Sequence, residues 1–187
     1  MKIILASQSP RRKQLLDWAE IKFEVMVSDA DESFSDLLSC EEVAVFIAKK
    51  KAQTIVDLHH PSIPVLAADT IVVCDNEIIG KPKDREDAIQ ILKKLSGKTH
   101  RVITGVSIMS PQKEITFSDT TEVTFHQLTQ QQIEFYVDEY KPYDKAGAYA
   151  IQEWIGVVGI QSIKGDFYNV MGLPVSRVVK CLESYNA

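Results

Sequence analysis

Between Val65 and Val73 the chain is apolar except for Asp69 and Thr70 in its middle. An apolar, β-branched run of this kind has the pattern of a strand buried on both faces, and such a strand needs helices to cover its sheet. Asp69 is the anomaly. A buried carboxylate is costly enough to leave few options: it is paired, protonated or bound to a metal. A structural aspartate satisfied by backbone donors is the plainer alternative.

The other elements follow from periodicity and punctuation. Ile3-Ile4-Leu5 reads as a short strand, Phe23–Val27 as a second, and the Asp75-Asn76 turn sends Val65–Val73 back through Ile78 and Ile79. Thr99–Met109 and Glu114–Phe125 read as a long pair around Ser110-Pro111-Gln112. Val157–Ile163 and Phe167–Met171 read as a last pair around Lys164-Gly165-Asp166.

Helix starts are marked by Ser9 before Pro10, by the capping boxes Ser39/Glu42 and Thr129/Gln132, by Asp84, and by Pro174. The helix after Ser39 should reach about Leu58 and the one after Thr129 about Tyr140. The helix after Asp84 should turn Ala88, Ile91, Leu92 and Leu95 inward, and the last should do so with Val175, Val178, Val179 and Leu182. Hairpins mixed with capped helices imply an α/β fold, a mixed sheet with helices on both sides. The segment Lys141–Tyr149, polar and rich in small residues, fits a place where backbone comes close to a ligand or a strand.

The chain has 187 residues, 45% hydrophobic and 25% charged, which suits a single soluble domain of one or two lobes. Its net charge of −5 argues against a general nucleic-acid or membrane binder, so an anion site has to be local. Cys40, Cys74 and Cys181 match neither a disulfide framework nor a zinc site, and a reducing cytoplasm fits best. The apolar start ends at Ser7, too short for an export signal, and no stretch approaches membrane-spanning length.

Four stretches carry candidate chemistry. In Ser7-Gln8-Ser9-Pro10-Arg11-Arg12 the hydroxyls, the free N–H groups of a helix start and two guanidinium forks converge, which is a recipe for holding a polyphosphate. Two cations in a first turn oppose the helix dipole by roughly 0.3–1 kcal/mol each. On that reading Arg12→Ala leaves the stability of the empty protein unchanged or higher. The acidic loop Ser28–Glu32 follows a strand end and could ligate a metal or simply be solvated. Lys49, Lys50 and Lys51 cannot share one helix face, and spacing alone does not choose among them. Lys81 lies between Gly80 and Pro82, where a side chain can be aimed. Gly97-Lys98-Thr99 imitates the end of a P-loop, but the required first glycine is Leu92, so that motif is rejected.

Leu5-Ala6-Ser7-Gln8-Ser9-Pro10-Arg11-Arg12, Ala67-Ala68-Asp69-Thr70, Gly80-Lys81-Pro82, Asp144-Lys145-Ala146-Gly147-Ala148-Tyr149 and Asn169-Val170-Met171-Gly172-Leu173-Pro174 together resemble the Maf family of nucleoside triphosphate pyrophosphatases. The resemblance spans essentially the whole chain, residues 1–187, as one Maf-like domain. It implies an elongated mixed β-sheet flanked by helices, two lobes with a central cleft, similar to the inosine triphosphatase architecture. It also implies metal-dependent hydrolysis of a nucleoside triphosphate to monophosphate and pyrophosphate.

Carried over position by position, the resemblance makes Asp69 the proton acceptor, with Lys51 and Lys81 as catalytic lysines. Ser7, Ser9, Arg11 and Arg12 would hold phosphates, and Glu32 with Asp69 would hold Mg²⁺ or Mn²⁺. Arg11, Thr70 and Gln152 match the specificity positions of the branch acting on dTTP and UTP. The Gln152 amide offers one donor and one acceptor, which suits O4 and N3–H of a pyrimidine. That branch usually reads Gly-Ile-Gln-Gly, whereas here Ala150 and Glu153 replace both glycines. The family has also been associated with arrest of septum formation, so a nucleotide-binding regulator without turnover is the alternative. A homodimer is a family-level expectation.

Overall fold

In the computed structural model, which describes residues 2–185, strands and helices alternate along the chain. Their order is β1 (Lys2–Leu5), α1 (Pro10–Trp18), β2 (Lys22–Val25), α2 (Cys40–His59), β3 (Val65–Cys74), β4 (Glu77–Ile79), α3 (Arg85–Leu95), β5 (Thr99–Met109) and β6 (Glu114–Phe125). Then come α4 (Gln130–Tyr140), a 3-10 turn (Ala146–Ala148), α5 (Trp154–Gly159), β7 (Ile160–Lys164), α6 (Phe167–Met171) and α7 (Val175–Glu183). Among the described residues the sheet has seven strands, in the order β2-β1-β3-β5-β6-β7 with β4 paired to β3. It is mixed, since β1 runs parallel to β2 and β3, whereas β4 is antiparallel to β3 and β7 to β6.

The chain forms two compact units. The first takes in the residues up to Thr70, Thr104–Asp119 and the residues from Gly172 on. Its core gathers Ile4, Ala6, Ala52, Ile55, Val65, Ala67 and Met109. Helix α2 starts at a complete Ser39/Glu42 capping box and buries Val43, Ala44, Ile47, Ala48, Ala52 and Ile55, the stripe expected of a helix laid on a sheet. Burying Ile47 and Ile55 contributes on the order of 2 kcal/mol each. Its seat on β5 depends on Gly105, where a Cβ would lie 2.1 Å from the Ala44 carbonyl carbon. That close seat fixes which α2 side chains flank β3.

The second unit comprises Ile71–Ile103 and Thr120–Met171. The β3–β4 turn places Asp75 and Asn76 at φ of 53° and 63°, the left-handed pair that a two-residue hairpin requires. Helix α3 packs against α4 and the 3-10 turn. At that turn Gly147, at φ 72°, comes so near β3 that a Cβ would meet the Val72 side chain at 3.0 Å. The small-residue loop therefore serves a close approach to a strand.

Three expectations are corrected here. Val157 and Val158 belong to helix α5 and not to a strand. The Glu153 carbonyl accepts from the Gly156 and Val157 N–H groups, and Val157 is 81% exposed, so no packing enforces its β preference. Phe167–Met171 is helix α6, because the chain reverses at Gly165 (φ 129°) and Asp166 then caps the N–H of Tyr168 at 2.8 Å. In α3 the buried face includes Ile89, with Ile91 half-buried, and in α7 only Val178 and Leu182 are buried. Among the described residues no helix is long and apolar enough to cross a membrane.

A buried aromatic cluster gives the second unit an acid-sensitive point. His100 Nε2 lies 2.7 Å from the Tyr149 hydroxyl, its ring stacks on Phe125 at 5.4 Å, and its Nδ1 has no hydrogen-bond partner among the described residues. Burial pulls the imidazole down to about 4. An unfolded histidine titrates near 6.5, so between those values the unfolded chain binds the extra proton and stability is lost as pH falls. Denaturant titrations at pH 7.5 and 4.5 should therefore show about 2.5 kcal/mol of loss from this group, and His100→Phe should lack that share of the slope. Equal slopes would remove His100 as the cause.

Candidate active site

The first unit brings the opening motif and the middle of β3 into one bonded network. Ser9 caps α1 by accepting from the Arg12 N–H at 3.4 Å, and Pro10 occupies the first helical position, where a missing N–H is harmless. Ser7 accepts from the Ser9 N–H at 3.2 Å. The turn is therefore shaped by its own hydroxyls.

Arg12 is buried, with its guanidinium folded inward. It donates from Nε to the Gly172 carbonyl at 2.8 Å, from Nη1 to Ser7 Oγ at 3.1 Å and from Nη2 to Thr70 Oγ1 at 3.0 Å. Thr70 is bonded in turn to the Thr104 hydroxyl at 2.9 Å. These bonds take three of the five guanidinium N–H groups. Burial lowers the Arg12 pKa and Arg11 adds to this, while Asp69 and Glu32 oppose it. Arginine stays charged throughout. The expectation that Arg12 is a local liability of the empty protein is thus corrected: the side chain is a structural hub. Arg11, the next residue back, is half-buried on the same turn.

Asp69 is half-buried and paired, which resolves the anomaly in β3. Its Oδ1 accepts from Lys51 Nζ at 2.7 Å, and the side chains are each 14% exposed. Of the three consecutive lysines, Lys51 alone turns to this point. Lys49 pairs with Glu114 at 2.8 Å, and Lys50 donates to the Ser33 carbonyl at 3.3 Å and pairs with Asp31 at 3.5 Å. Lys51 also reaches Glu32 Oε1 at 2.8 Å. The acidic loop is thereby tied to α2.

Glu32 and Asp69 therefore converge on one cationic atom. A hard oxygen donor set of two carboxylates suits Mg²⁺ or Mn²⁺ when substrate phosphates complete the shell. Among the described residues no group of three acidic, histidine or cysteine side chains could hold a metal without such help. Chemically, this cluster can hold an anion beside a carboxylate, with a charge-neutralising lysine between the acids.

Lys81 and Gln152 belong to the second unit, and both are exposed. Lys81 follows Gly80, whose carbonyl accepts from the Gly147 N–H at 3.1 Å. Gln152 sits in a turn closed by the Glu153 N–H on the Ala150 carbonyl at 3.1 Å. Thr104 and the Gly172 carbonyl were not singled out by sequence reasoning. For Thr104 a signal existed, a hydroxyl inside the apolar run Val102–Met109, of the same kind that drew attention to Asp69. A carbonyl leaves no trace in side-chain chemistry.

A strand–turn–helix whose guanidinium is locked against β3, within a mixed sheet flanked by helices, defines an α/β protein. The chain belongs to the Maf family, described as Maf-like protein, whose pattern matches residues 2–185. It is 49% identical over 178 residues to the dTTP/UTP pyrophosphatase of Phocaeicola vulgatus, covering 95% of this chain and 92% of that one. To the dTTP/UTP pyrophosphatase of Bacillus cytotoxicus it is 47% identical over 186 residues, covering 100% and 96%. Among solved structures, the Staphylococcus aureus Ham1 protein aligns over 67% of this chain and 72% of that one at 17% identity and a TM-score of 0.48, too slight a likeness to bear on the fold.

Proposed function

We propose that this chain hydrolyses dTTP and UTP to the monophosphate and pyrophosphate. The observation that carries the reading is the adjacency of two roles: Thr70 is bonded to the Arg12 guanidinium, and the preceding residue, Asp69, is the carboxylate paired with Lys51. An anion held by the opening turn therefore lies beside a candidate base. The pyrimidine assignment comes from relatives that bear that name and are 47–49% identical over nearly the whole chain.

In this reading the N–H groups of the Ser9 turn, Arg11 and the N–H groups of Arg12 not used internally bind phosphate oxygens. Lys51 and Lys81 offset charge that builds as the bridge between the α and β phosphates breaks. A water oxygen bonds to the α phosphorus, pyrophosphate departs with the electron pair of the bridge, and Asp69 takes the proton of the water. Glu32 and Asp69 would hold Mg²⁺ or Mn²⁺, which when bound acidifies water and neutralises phosphate charge. Because two carboxylates make an incomplete shell, metal affinity should rise when nucleotide is present.

The direct test is a panel of nucleoside triphosphates with Mg²⁺ and Mn²⁺ and identification of products. Monophosphate with pyrophosphate from dTTP and UTP is the expected result. Diphosphate with phosphate, or no turnover of any nucleotide, would overturn it, the latter in favour of a binding protein. Specificity is tested at Gln152. Gln152→Glu sets a negative acceptor against pyrimidine O4, so the ratio of kcat/KM for UTP to that for GTP should fall by roughly 10- to 10²-fold. An unchanged ratio would return the question to Arg11 and Thr70.

A further inference from the structure

The turn that carries Gln152 is bound at both ends to a single atom. Tyr136, on α4, is fully buried, and its hydroxyl accepts from the Ala150 N–H at 3.1 Å while donating to the Glu153 carboxylate. Glu153 also faces Lys145, whose Nζ lies 3.7 Å from Glu153 Oε1 and 2.7 Å from Asp144 Oδ1. Lys145 is itself buried, so its charge sits where these acids hold it. The backbone adds the Glu153-to-Ala150 bond, and Gly156 closes the far side so tightly that a Cβ there would lie 1.7 Å from the Ile151 carbonyl oxygen. Within this frame Ile151 is buried and Gln152 is exposed.

We propose that Tyr136 is a positioning residue for nucleotide specificity, because its hydroxyl joins Ala150 to Glu153 and thereby sets the turn that presents Gln152. The proposal rests on the assignment of Gln152 to the base. A phenolic hydroxyl has one donor and two lone pairs, and here the donor goes to a carboxylate, a charge-assisted bond stronger than a neutral one. Glu153 therefore supplies an anchor on α4 in place of the compactness that a glycine turn has by itself. Phe135, one residue before the hub, packs edge-on against Trp154 at 4.8 Å, so α4 and the start of α5 are held together on the adjoining side as well. An amide that must meet both O4 and N3–H of a base tolerates little displacement, since a shift of about 1 Å can lower a rate by about 10²-fold.

The test compares four variants, each assayed well below its own melting temperature. Tyr136→Phe removes the hydroxyl, leaving the Ala150 N–H without its acceptor and the Glu153 carboxylate without its donor. It should lower kcat/KM for UTP about tenfold, chiefly through KM, and compress the UTP-to-GTP preference by a similar factor. Inhibition by inorganic tripolyphosphate, which has no base, should be unchanged. Glu153→Gln keeps an acceptor for Tyr136 and should hold the preference within about threefold, whereas Glu153→Ala should behave like Tyr136→Phe and serves as the second variant if that one folds poorly.

Gln152→Glu separates the proposal from the reading beneath it. If Gln152→Glu shifts the preference and Tyr136→Phe and Glu153→Ala do not, Tyr136 only supports the fold. Equal losses for every nucleotide and for tripolyphosphate would likewise confine Tyr136 to supporting the fold. If Gln152→Glu itself leaves the preference unchanged, the base assignment fails and this proposal fails with it.

Discussion

Asp69→Asn is expected to abolish hydrolysis of dTTP and UTP, by about 10³-fold or more, while nucleotide affinity changes only a few-fold. Asparagine nearly matches aspartate in shape, so the strand should keep its form. It cannot accept the proton of the attacking water, and it is a far poorer ligand for a hard cation. The structure also bounds the effect on folding. The asparagine oxygen can still accept from Lys51 in place of the 2.7 Å carboxylate bond, and Lys51 keeps Glu32 at 2.8 Å, so its ammonium is not left without a counter-charge. Breaking a fully buried pair is strongly destabilising, whereas a partly exposed pair with a second acid nearby should lose much less. Kinetics and thermal unfolding of the same variant therefore separate the two readings of this residue. Turnover within a few-fold of the parent, coupled to a large drop in stability, would make Asp69 a structural partner of Lys51 and remove it from the chemistry.

Much of the fold was legible because capping and turn chemistry are local. The Ser39/Glu42 and Thr129/Gln132 boxes, the Asp84 cap and the Asp75-Asn76 turn depend on residues within a few positions of one another, and each forms as the spacing predicts. The long strands β5 and β6 were equally plain, being rich in β-branched residues and separated by a short polar turn. Residues 157–159 and 167–171 were misread where composition and context part company, whereas the strand expected at 160–163 forms. The valines of α5 suggest a strand, but they are exposed, and the caps that make α5 and α6 helical are a backbone carbonyl at Glu153 and a side chain at Asp166.

In the candidate site, residue types were legible and partnerships were not. Asp69 stood out as a carboxylate in an apolar strand, yet spacing does not separate Lys51 from its two neighbouring lysines; the family resemblance points to it, and the fold pairs it with Asp69. The bond from Arg12 to Gly172 joins positions 160 residues apart, which no local pattern reveals. The same holds for Tyr136, whose meeting with Glu153 depends on how α4 and the following turn pack.

Arg12→Ala carries the second large effect, and its sign on stability reverses the expectation from helix electrostatics. Removing a cation from the start of α1 relieves roughly 0.3–1 kcal/mol of dipole repulsion. Against that stand three hydrogen bonds from a buried charged group, to Gly172, Ser7 and Thr70, at 2.8–3.1 Å. Hydrogen bonds of charged groups contribute about 1.5–3 kcal/mol each, and truncation also leaves the Gly172 carbonyl with only the long 3.5 Å contact to the Thr70 hydroxyl and opens a void. Desolvation of the guanidinium, visible in its lowered pKa, offsets part of this. The bonds should win, with a net loss of about 3 kcal/mol, which for a chain of this size lowers Tm by roughly 6 to 12 °C. Arg12→Lys tests the ligand role separately, because it keeps the charge and cannot reproduce the fork. If Arg12 binds phosphate as well as its three protein partners, kcat/KM per folded molecule should fall by about 10² in Arg12→Lys at a temperature where it is fully folded. A folded Arg12→Lys enzyme with parental kcat/KM would confine Arg12 to holding Ser7, Thr70 and Gly172 together.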